Sequence, residues 1–227
     1  AAALAAVGKL SSAIVHEMRT PLGSVKLGLE AFAEQVADDP DYSELAQIAI
    51  TQTERVQRML SDLLAYAKPI PLDLQSVSLQ SVLEEAVRLG RPSANHDGVD
   101  LASECADMED GVVRIDREQM LRALGNLVLN ALQASHCGGR VVVAARTADA
   151  AGREVAITVS DEGDGIPAAV QETVFDPFVS VREGGTGLGL ATARKIVQGH
   201  GGRVTGENAS SGGAVFTVFL PLCGDES

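Results

Sequence analysis

The chain has 227 residues, 45% of them hydrophobic, and this length allows one large domain or two modest ones. Its 31 acidic side chains outnumber the 18 basic ones, for a net charge of −13. That charge excludes a basic face that would follow the phosphate backbone of a nucleic acid. A bound nucleotide would need local help from a metal ion, backbone N–H groups or one well-placed cation.

Cysteine spacing and hydropathy limit the cellular setting. Cys105, Cys137 and Cys223 lie far apart without a CxxC pair, so neither a zinc site nor a disulfide framework is predicted, and a reducing cytoplasm fits best. No run of about 18 apolar residues occurs, so we expect no membrane contact in this part of the chain. Because the sequence opens in what resembles the middle of a helix, we expect an upstream sensory or membrane portion.

The first 70 residues carry a helical pattern. From Leu4 to Val36 apolar side chains recur at alternating steps of three and four, which is typical of one helix face. The segment 37–42 (ADDPDY) interrupts the pattern, and a second stripe runs from Leu45 to Tyr66. We predict an antiparallel helical hairpin, and because a lone hairpin cannot cover its apolar seam, two copies should form a four-helix bundle.

A proline-containing linker at Pro69 and Pro71 separates two predicted domains, residues 1–70 and residues 71–227. In the second domain we predict helices over 79–90, 116–135 and 188–199, and strands over 112–115, 140–147, 154–160, 203–208 and 214–220. Asp116 and Gln119 resemble a capping box. The predicted fold class is α+β, with the hairpin followed by an α/β sandwich that has a mixed, mostly antiparallel sheet.

One histidine of the first helix is a candidate nucleophile. His16 lies two residues beyond the apolar Ile14, about 200° around an ideal helix, and should face solvent. Its neutral imidazole has a nitrogen lone pair that can attack phosphorus. Glu17 is adjacent, and Thr20 lies one turn further on the same face. Taken alone, a solvated surface histidine is the commoner explanation. We give that explanation to the other histidines, His96, His136 and His200.

The run HEMRTPL, residues 16–22, resembles the H-box of histidine kinase dimerisation domains. In that family the histidine accepts a phosphoryl group and the adjacent acid is the general base. A Thr or Asn four residues after the histidine supports dephosphorylation of the partner. The resemblance implies these roles for His16, Glu17 and Thr20, respectively, and it implies a homodimer along the helical seam.

Three motifs of the second domain suit a flat, charged ligand. The segment 126–131 (NLVLNA) puts the amides of Asn126 and Asn130 on one helix face. The segment 161–167 (DEGDGIP) ends a β-rich run with an acid and glycines that permit a close turn. The segment 184–190 (GGTGLGL) enters a helix whose first amides favour an anion. Each alone could be an ordinary helix or turn, and without the GK[ST] ending the last is not a P-loop.

In the order NxxxNA, DxGxG, FDPF and GTGLGL, these motifs resemble the N, G1, F and G2 boxes of the ATP-binding domain shared by histidine kinases, gyrase, Hsp90 and MutL. The resemblance implies that Asn130 binds Mg²⁺ and that Asp161 binds the exocyclic amine of adenine. It implies that Gly163 and Gly165 surround the base and that Phe175 and Phe178 anchor a mobile lid between Asp176 and Gly185. The remaining box residues are implied to contact ATP, with the glycines around the phosphates: Asn126, Gly185, Thr186, Gly187, Leu188 and Gly189.

Asn126 stands where the ATP-hydrolysing members of this superfamily carry a Glu. Because an amide cannot take a proton from water, the resemblance implies that Mg-ATP is held without a base for hydrolysis, which leaves the phosphoryl group for an imidazole. Arg182 is either a partner of the γ-phosphate or a solvated lid arginine, and the roles of Arg194 and Lys195 stay open in the same way.

The sequence therefore predicts the cytoplasmic catalytic core of a protein-histidine kinase. It should phosphorylate His16, pass the phosphoryl group to an aspartate of a response regulator, and also act as a phosphatase on that regulator. Two alternatives stay open: a protein-serine kinase or ATPase on the same nucleotide fold, and a nucleotide-binding signalling module without catalysis. The stimulus, the regulator, the kinase/phosphatase balance and the choice between cis and trans transfer are not predicted.

Overall fold

Two long helices, α1 (Ala2–Gln35) and α2 (Pro40–Ala67), form an antiparallel hairpin in the computed structural model. Pairing of Arg19 with Ser61 and of Lys26 with Glu54 shows the antiparallel order. Helix α2 begins with a proline, which leaves no N–H unpaired at the first position. The structure describes the backbone of residues 2–67, 71–105, 111–149, 153–181 and 185–222; the side chains of residues 2–17, 58, 64, 65 and 105 lie outside the description.

Large apolar side chains of the hairpin remain exposed in the single chain. They are Met18, Val25, Leu27, Phe32, Tyr42, Leu45, Ile48 and Val56. Only a few described hairpin side chains, such as Ala46 and Ile50, are buried. We expect a partner to cover these side chains, because large exposed apolar patches mark interaction sites in proteins.

The rest of the chain alternates helices and strands. The elements are β1 (Gln75–Ser78), α3 (Leu79–Asp97), β2 (Asp100–Cys105), β3 (Val112–Ile115), α4 (Arg117–Ala134), β4 (Arg140–Thr147), β5 (Glu154–Asp161), α5 (Gly189–Gly199), β6 (Arg203–Asn208) and β7 (Ala214–Pro221). Five strands form a sheet in the order β2-β4-β5-β7-β6, in which only the β2–β4 pair is parallel among the described strands. Strands β1 and β3 pair separately in antiparallel fashion.

The sheet buries one side of its strands beneath α3, α4 and α5. Strand β4 shows why, because Val141, Val143 and Ala145 are buried while the residues between them are partly accessible. These side chains join one apolar core with the inner faces of the three helices. The predicted α+β fold, with N-terminal helices followed by a mixed sheet, is confirmed. The described chain divides into two units, made mainly of residues 1–69 and of residues 70–181 with 187–227.

Three details of the sequence prediction were wrong. Helix α3 does not end at Gly90 but continues past Pro92 to Asp97, because Ala94 beyond the proline is buried in the core. Gly98, in the left-handed region with φ 67°, ends the helix instead. Strands β1 and β2 were not predicted, since they are short and partly polar.

The start of α4 keeps only half of the predicted capping box. The Asp116 carboxylate accepts a hydrogen bond from the backbone N–H of Gln119 at 3.0 Å, as a cap should. The Gln119 side chain, however, does not reach back, and its buried Oε1 has no hydrogen-bond partner in the described part of the chain. The Asp116 N–H instead donates to Nε2 of His200 at 3.0 Å.

Candidate functional site

Helices α4 and α5 bring the two asparagines next to the glycine-rich segment. Asn126 and Asn130 are half-buried on α4, and Gly189 begins α5. A Cβ atom on Gly189 would lie 4.0 Å from Cγ of Asn126. The first turn of α5, with its unpaired backbone N–H groups, therefore lies beside the amide of Asn126.

Asp161 ends strand β5 and is only 4% exposed. Its Oδ1 accepts hydrogen bonds from the backbone N–H groups of Gly163, at 3.0 Å, and of Ala214, at 3.2 Å. A Cβ on Gly163 would lie 2.2 Å from the carbonyl oxygen of Ala134. Only glycine allows the loop after β5 to pass this close to the end of α4.

Two residues that the sequence interpretation missed fix the rest of this loop. Asn208 accepts a hydrogen bond from the N–H of Ile166 at 2.6 Å and donates one to its carbonyl at 3.0 Å. Gly213, with φ 82°, would place a Cβ 1.8 Å from the carbonyl oxygen of Asp161. The glycine pair at 212–213 signals a tight turn in the sequence, but no local pattern marks Asn208.

The segment around the FDPF motif has one half-buried and one exposed aromatic residue. The ring of Phe175 packs edge-on against the buried Phe216, with 5.9 Å between centroids and an 89° interplanar angle. Phe178 is 67% exposed and adopts φ 68°, which is rare for a residue other than glycine. Its N–H donates to the carbonyl of Gly187 at 3.0 Å, and a Cβ on Gly187 would lie 2.5 Å from the carbonyl carbon of Phe178.

The cations near this segment differ in their surroundings. Arg194 makes an exposed ion pair with Asp176, 3.3 Å between Nη1 and Oδ1, which contributes little to stability. Burial, and then the charge of Arg122, lowers the pKa of Lys195 below its usual value. Arg182 and the first glycine of the 184–190 segment lie outside the described residues, whereas Gly185 and Thr186 have no regular secondary structure.

The H-box lies in α1. His16, Glu17 and Thr20 are helical, so His16 and Thr20 are one turn apart on the backbone. The side chains of His16 and Glu17 lie outside the description, and that of Thr20 is exposed. Pro21 is inside the same helix, where it donates no backbone hydrogen bond.

A buried acid, two neutral amides and helix N–H groups form a set that can hold a purine and its phosphates. Within the described ranges, no three His, Cys, Asp or Glu side chains are grouped as metal ligands, so any metal here would depend on amide oxygens and on the ligand's own phosphates. A search of the same residues finds no helix with the length and apolar character needed to span a membrane.

Sequence models of two protein families match the chain. The His Kinase A (phospho-acceptor) domain matches residues 6–70. The family described as histidine kinase-, DNA gyrase B-, and HSP90-like ATPase matches residues 115–224. The second match contains Asn126, Asn130, Asp161 and the segment 184–190.

Curated relatives align with nearly the whole of this chain. The sensor histidine kinase ZraS of Escherichia coli O157:H7 is 35% identical over 96% of this chain and 47% of its own length. The signal transduction histidine-protein kinase AtoS of Escherichia coli K12 is 31% identical over 96% of this chain and 35% of its own length. The chain thus spans about half the length, or less, of these curated relatives.

Solved structures agree with the family matches. The nucleotide-free catalytic domain of histidine kinase ThkA is 30% identical, with a TM-score of 0.60 over 66% of this chain and 96% of its own. ThkA in complex with the response regulator protein TrrA is 25% identical, with a TM-score of 0.71 over 97% of this chain and 63% of its own. Full-length ShkA in complex with AMPPNP, 23% identical, shares the fold with a TM-score of 0.74, over 96% of this chain and 47% of its own. The predicted resemblance is confirmed, and the chain belongs to the two-component sensor histidine kinases as a catalytic core.

Proposed function

We propose that this core binds Mg-ATP, phosphorylates His16 and passes the phosphoryl group to an aspartate of a response regulator, in the cytoplasm where ATP is found. The observation that carries the proposal is the buried Asp161, fixed by two backbone N–H groups in a loop packed against the asparagine-bearing helix α4. In the sequence, a complete H-box precedes this site.

Adenine recognition is assigned to the Asp161 loop. Because the carboxylate is only 4% exposed, water competes little for its oxygens. A hydrogen bond from the exocyclic amine of adenine is therefore strong there. Gly163 and Gly165 let this loop pack closely on Ala134 and Asn208, and Gly165 has φ 77°. The tight packing of this loop on Ala134 and Gly213 means that binding orders little additional chain.

The phosphates are assigned to the segment 185–189 and to the start of α5. Backbone N–H groups of a helix N-terminus attract anions, which offsets the repulsion of a chain with net charge −13. The residues present fit Mg²⁺, because this ion accepts amide oxygen and phosphate ligands and keeps several waters. Asn130, with Asn126 beside it, would hold the ion, which supplies neutralisation of phosphate charge. Phe175 fastens the base of the lid to the core.

The chemical step is assigned to α1. A ring nitrogen of His16 forms a bond to the γ-phosphorus while the bond from that phosphorus to the bridging oxygen breaks and ADP leaves. Glu17 takes the proton that the ring gives up. Asn126 cannot activate water, so the phosphoryl group is kept for the imidazole. The regulator's carboxylate then forms the new P–O bond as the P–N bond breaks.

A homodimer completes the proposal. The exposed apolar side chains of the hairpin need a cover, and a second copy of the hairpin supplies one of the same pattern. Thr20, exposed one turn after His16, is placed to hold a water for dephosphorylation of the regulator. We infer that residues 1–70 serve dimerisation and phosphotransfer and that residues 71–227 bind ATP.

The deciding experiment is incubation with γ-labelled ATP, followed by acid and alkali treatment of the protein. Label that is lost in acid and kept in alkali, and that is absent from His16→Ala, supports the proposal. His96→Ala is the control, because His96 is an exposed helix histidine outside the H-box. Acid-stable label would favour a serine kinase. Nucleotide binding without any label would favour a signalling module without catalysis.

A further inference from the structure

His200 is a buried histidine that no motif of the nucleotide site includes. It is 8% exposed and follows the last residue of α5. Its Nδ1 lies 2.8 Å from the carbonyl oxygen of Ile196, and its Nε2 lies 3.0 Å from the backbone nitrogen of Asp116. A carbonyl only accepts and an N–H only donates, so the proton is on Nδ1 and Nε2 accepts. The expectation of a solvated surface histidine was wrong for this residue.

Asp116 joins the same contact from the start of α4. Its backbone N–H donates to His200 in place of the unformed half of the capping box. Its carboxylate accepts from the N–H of Gln119 and from the N–H of Asp73, each at 3.0 Å. Burial raises the pKa of Asp116, but these backbone hydrogen bonds outweigh it and hold the pKa below its usual value. The acceptor therefore stays ionised at neutral pH.

The chain that follows the Pro69–Pro71 linker is fastened to this point. Asp73 donates to Asp116, and Cδ1 of Leu72 lies 3.4 Å from where a Cβ on Gly199 would be. The start of α4, the end of α5 and residues 72–73 thus meet at one place, which we name the Asp116–His200 junction.

The candidate nucleotide residues lie farther along both helices, at the middle of α4 and at the opposite end of α5. Helix α4 runs about 14 Å from its first residue to Asn126, and α5 spans about 15 Å back to Gly189. These two residues face each other across the helix pair. Because helices are stiff over such lengths, the Asp116–His200 junction helps to set the distance between Asn126 and Gly189.

We propose that His200 is a positioning residue for the nucleotide site: it holds the end of α5 to the start of α4 and, through Asp116, ties both to the linker exit at Asp73. This inference rests on the proposed nucleotide function. Because coupling between sites is reciprocal, bound nucleotide should in turn stabilise the hydrogen bonds of Asp73 and Asp116.

Two substitutions separate positioning from simple packing. His200→Leu keeps apolar volume but removes both hydrogen bonds, and we expect about five- to tenfold weaker binding of a fluorescent ATP analogue to the folded protein. In His200→Gln the side-chain oxygen can still accept from Asp116, so affinity should return to within about twofold of the parent. His96→Gln is the matched control, because His96 is an exposed residue of α3 that takes part in neither hydrogen bond. Equal affinity of all three variants and the parent overturns the inference.

Amide exchange in the unmodified protein gives a test that does not depend on folding of a variant. Saturation with Mg-ATP analogue should slow exchange of the Asp73 and Asp116 amides. The amide of Arg153, which donates to the Asp149 carboxylate at the other end of β5 from Asp161, serves as a reference outside both the junction and the nucleotide site. A parent that binds nucleotide with no change at Asp73 and Asp116 overturns this inference alone. A parent that binds no nucleotide overturns the proposed function and this inference with it.

Discussion

At the residue scale, the two oxygens of the Asp161 carboxylate allow its fold and its ligand role to be separated. In Asp161→Asn the amide oxygen can still accept from Gly163 and Ala214, so the loop should keep its shape. The NH₂ group of the new side chain would then face the exocyclic amine of adenine. Because both groups are donors, no hydrogen bond forms between them. We expect affinity for ATP to fall about 10- to 100-fold, the scale of a hydrogen bond to a charged group. Fluorescent nucleotide titration measures this affinity, with Asp100→Asn as control, because Asp100 is an exposed aspartate of β2 outside the nucleotide site. Unchanged affinity would show that adenine is held elsewhere.

The H-box residues should be separable by activity. Glu17→Ala removes the proposed base and should slow phosphorylation of His16 by about 10²- to 10⁴-fold. Thr20→Ala should leave that rate intact, since a hydroxyl does not withdraw a proton from imidazole at neutral pH, but it should lose phosphatase activity. Label incorporation measures the phosphorylation of His16. The decay of the phosphorylated regulator with ADP present measures the phosphatase activity. Equal phosphatase rates for Thr20→Ala and the parent would assign dephosphorylation to other groups.

The sequence indicated the site residues that lie in short motifs and missed those that long-range pairing brings in. Asn126, Asn130 and Asp161 belong to contiguous boxes with recognisable spacing. Asn208 contacts the loop only because β5, β7 and β6 pair in that order. His200 reaches Asp116 across 84 residues of sequence, so no local pattern could predict that it is buried.

At the scale of elements, the sequence predicted strands β4 to β7 with bounds within one residue of those in the structure. Strand β2 escaped prediction because it pairs in parallel with β4, a contact supplied by a segment 35 or more residues away. Helix α3 was predicted too short, since the cost of Pro92 is outweighed by burial of Ala94. In both cases, contacts with distant parts of the chain outweigh the local structural preference of the sequence.

The close contact between the loop after β5 and the end of α4 can be tested by substitution. Gly163→Ala puts a methyl group into the carbonyl of Ala134, so the loop must shift. We expect a loss of about 1–3 kcal/mol in unfolding free energy, together with weaker nucleotide binding. Gly125→Ala on α4 is the matched control, because nothing lies within 4 Å of its new methyl group. It should gain about 0.5–1 kcal/mol from helix propensity. Denaturant unfolding measures the free energy of unfolding of both variants. Equal stabilities would contradict the close packing of Gly163 on Ala134.

At the scale of the whole molecule, the hairpin and the α/β unit differ in how they hide apolar surface. The α/β unit encloses a continuous core of buried side chains between its sheet and three helices. The hairpin leaves a row of large apolar residues accessible along both helices. One chain therefore encloses the core of the α/β unit, whereas the large apolar side chains of the helical unit stay exposed, as we expect of a face that binds a partner.

A charge placed on that face should dissociate the proposed homodimer. Leu45 on α2 is 60% exposed in the single chain, and in a four-helix bundle it would lie in the seam, where an unpaired carboxylate is costly. We expect Leu45→Glu to shift the protein from dimer to monomer in sedimentation at micromolar concentration. Leu89→Glu introduces the same charge at a leucine of α3 that is 54% exposed and should stay dimeric. Because the candidate nucleotide residues Asn126, Asn130 and Asp161 lie outside the hairpin, Leu45→Glu should still bind ATP analogue with the parent's affinity. A Leu45→Glu protein that remains fully dimeric would place the dimer contact on another surface.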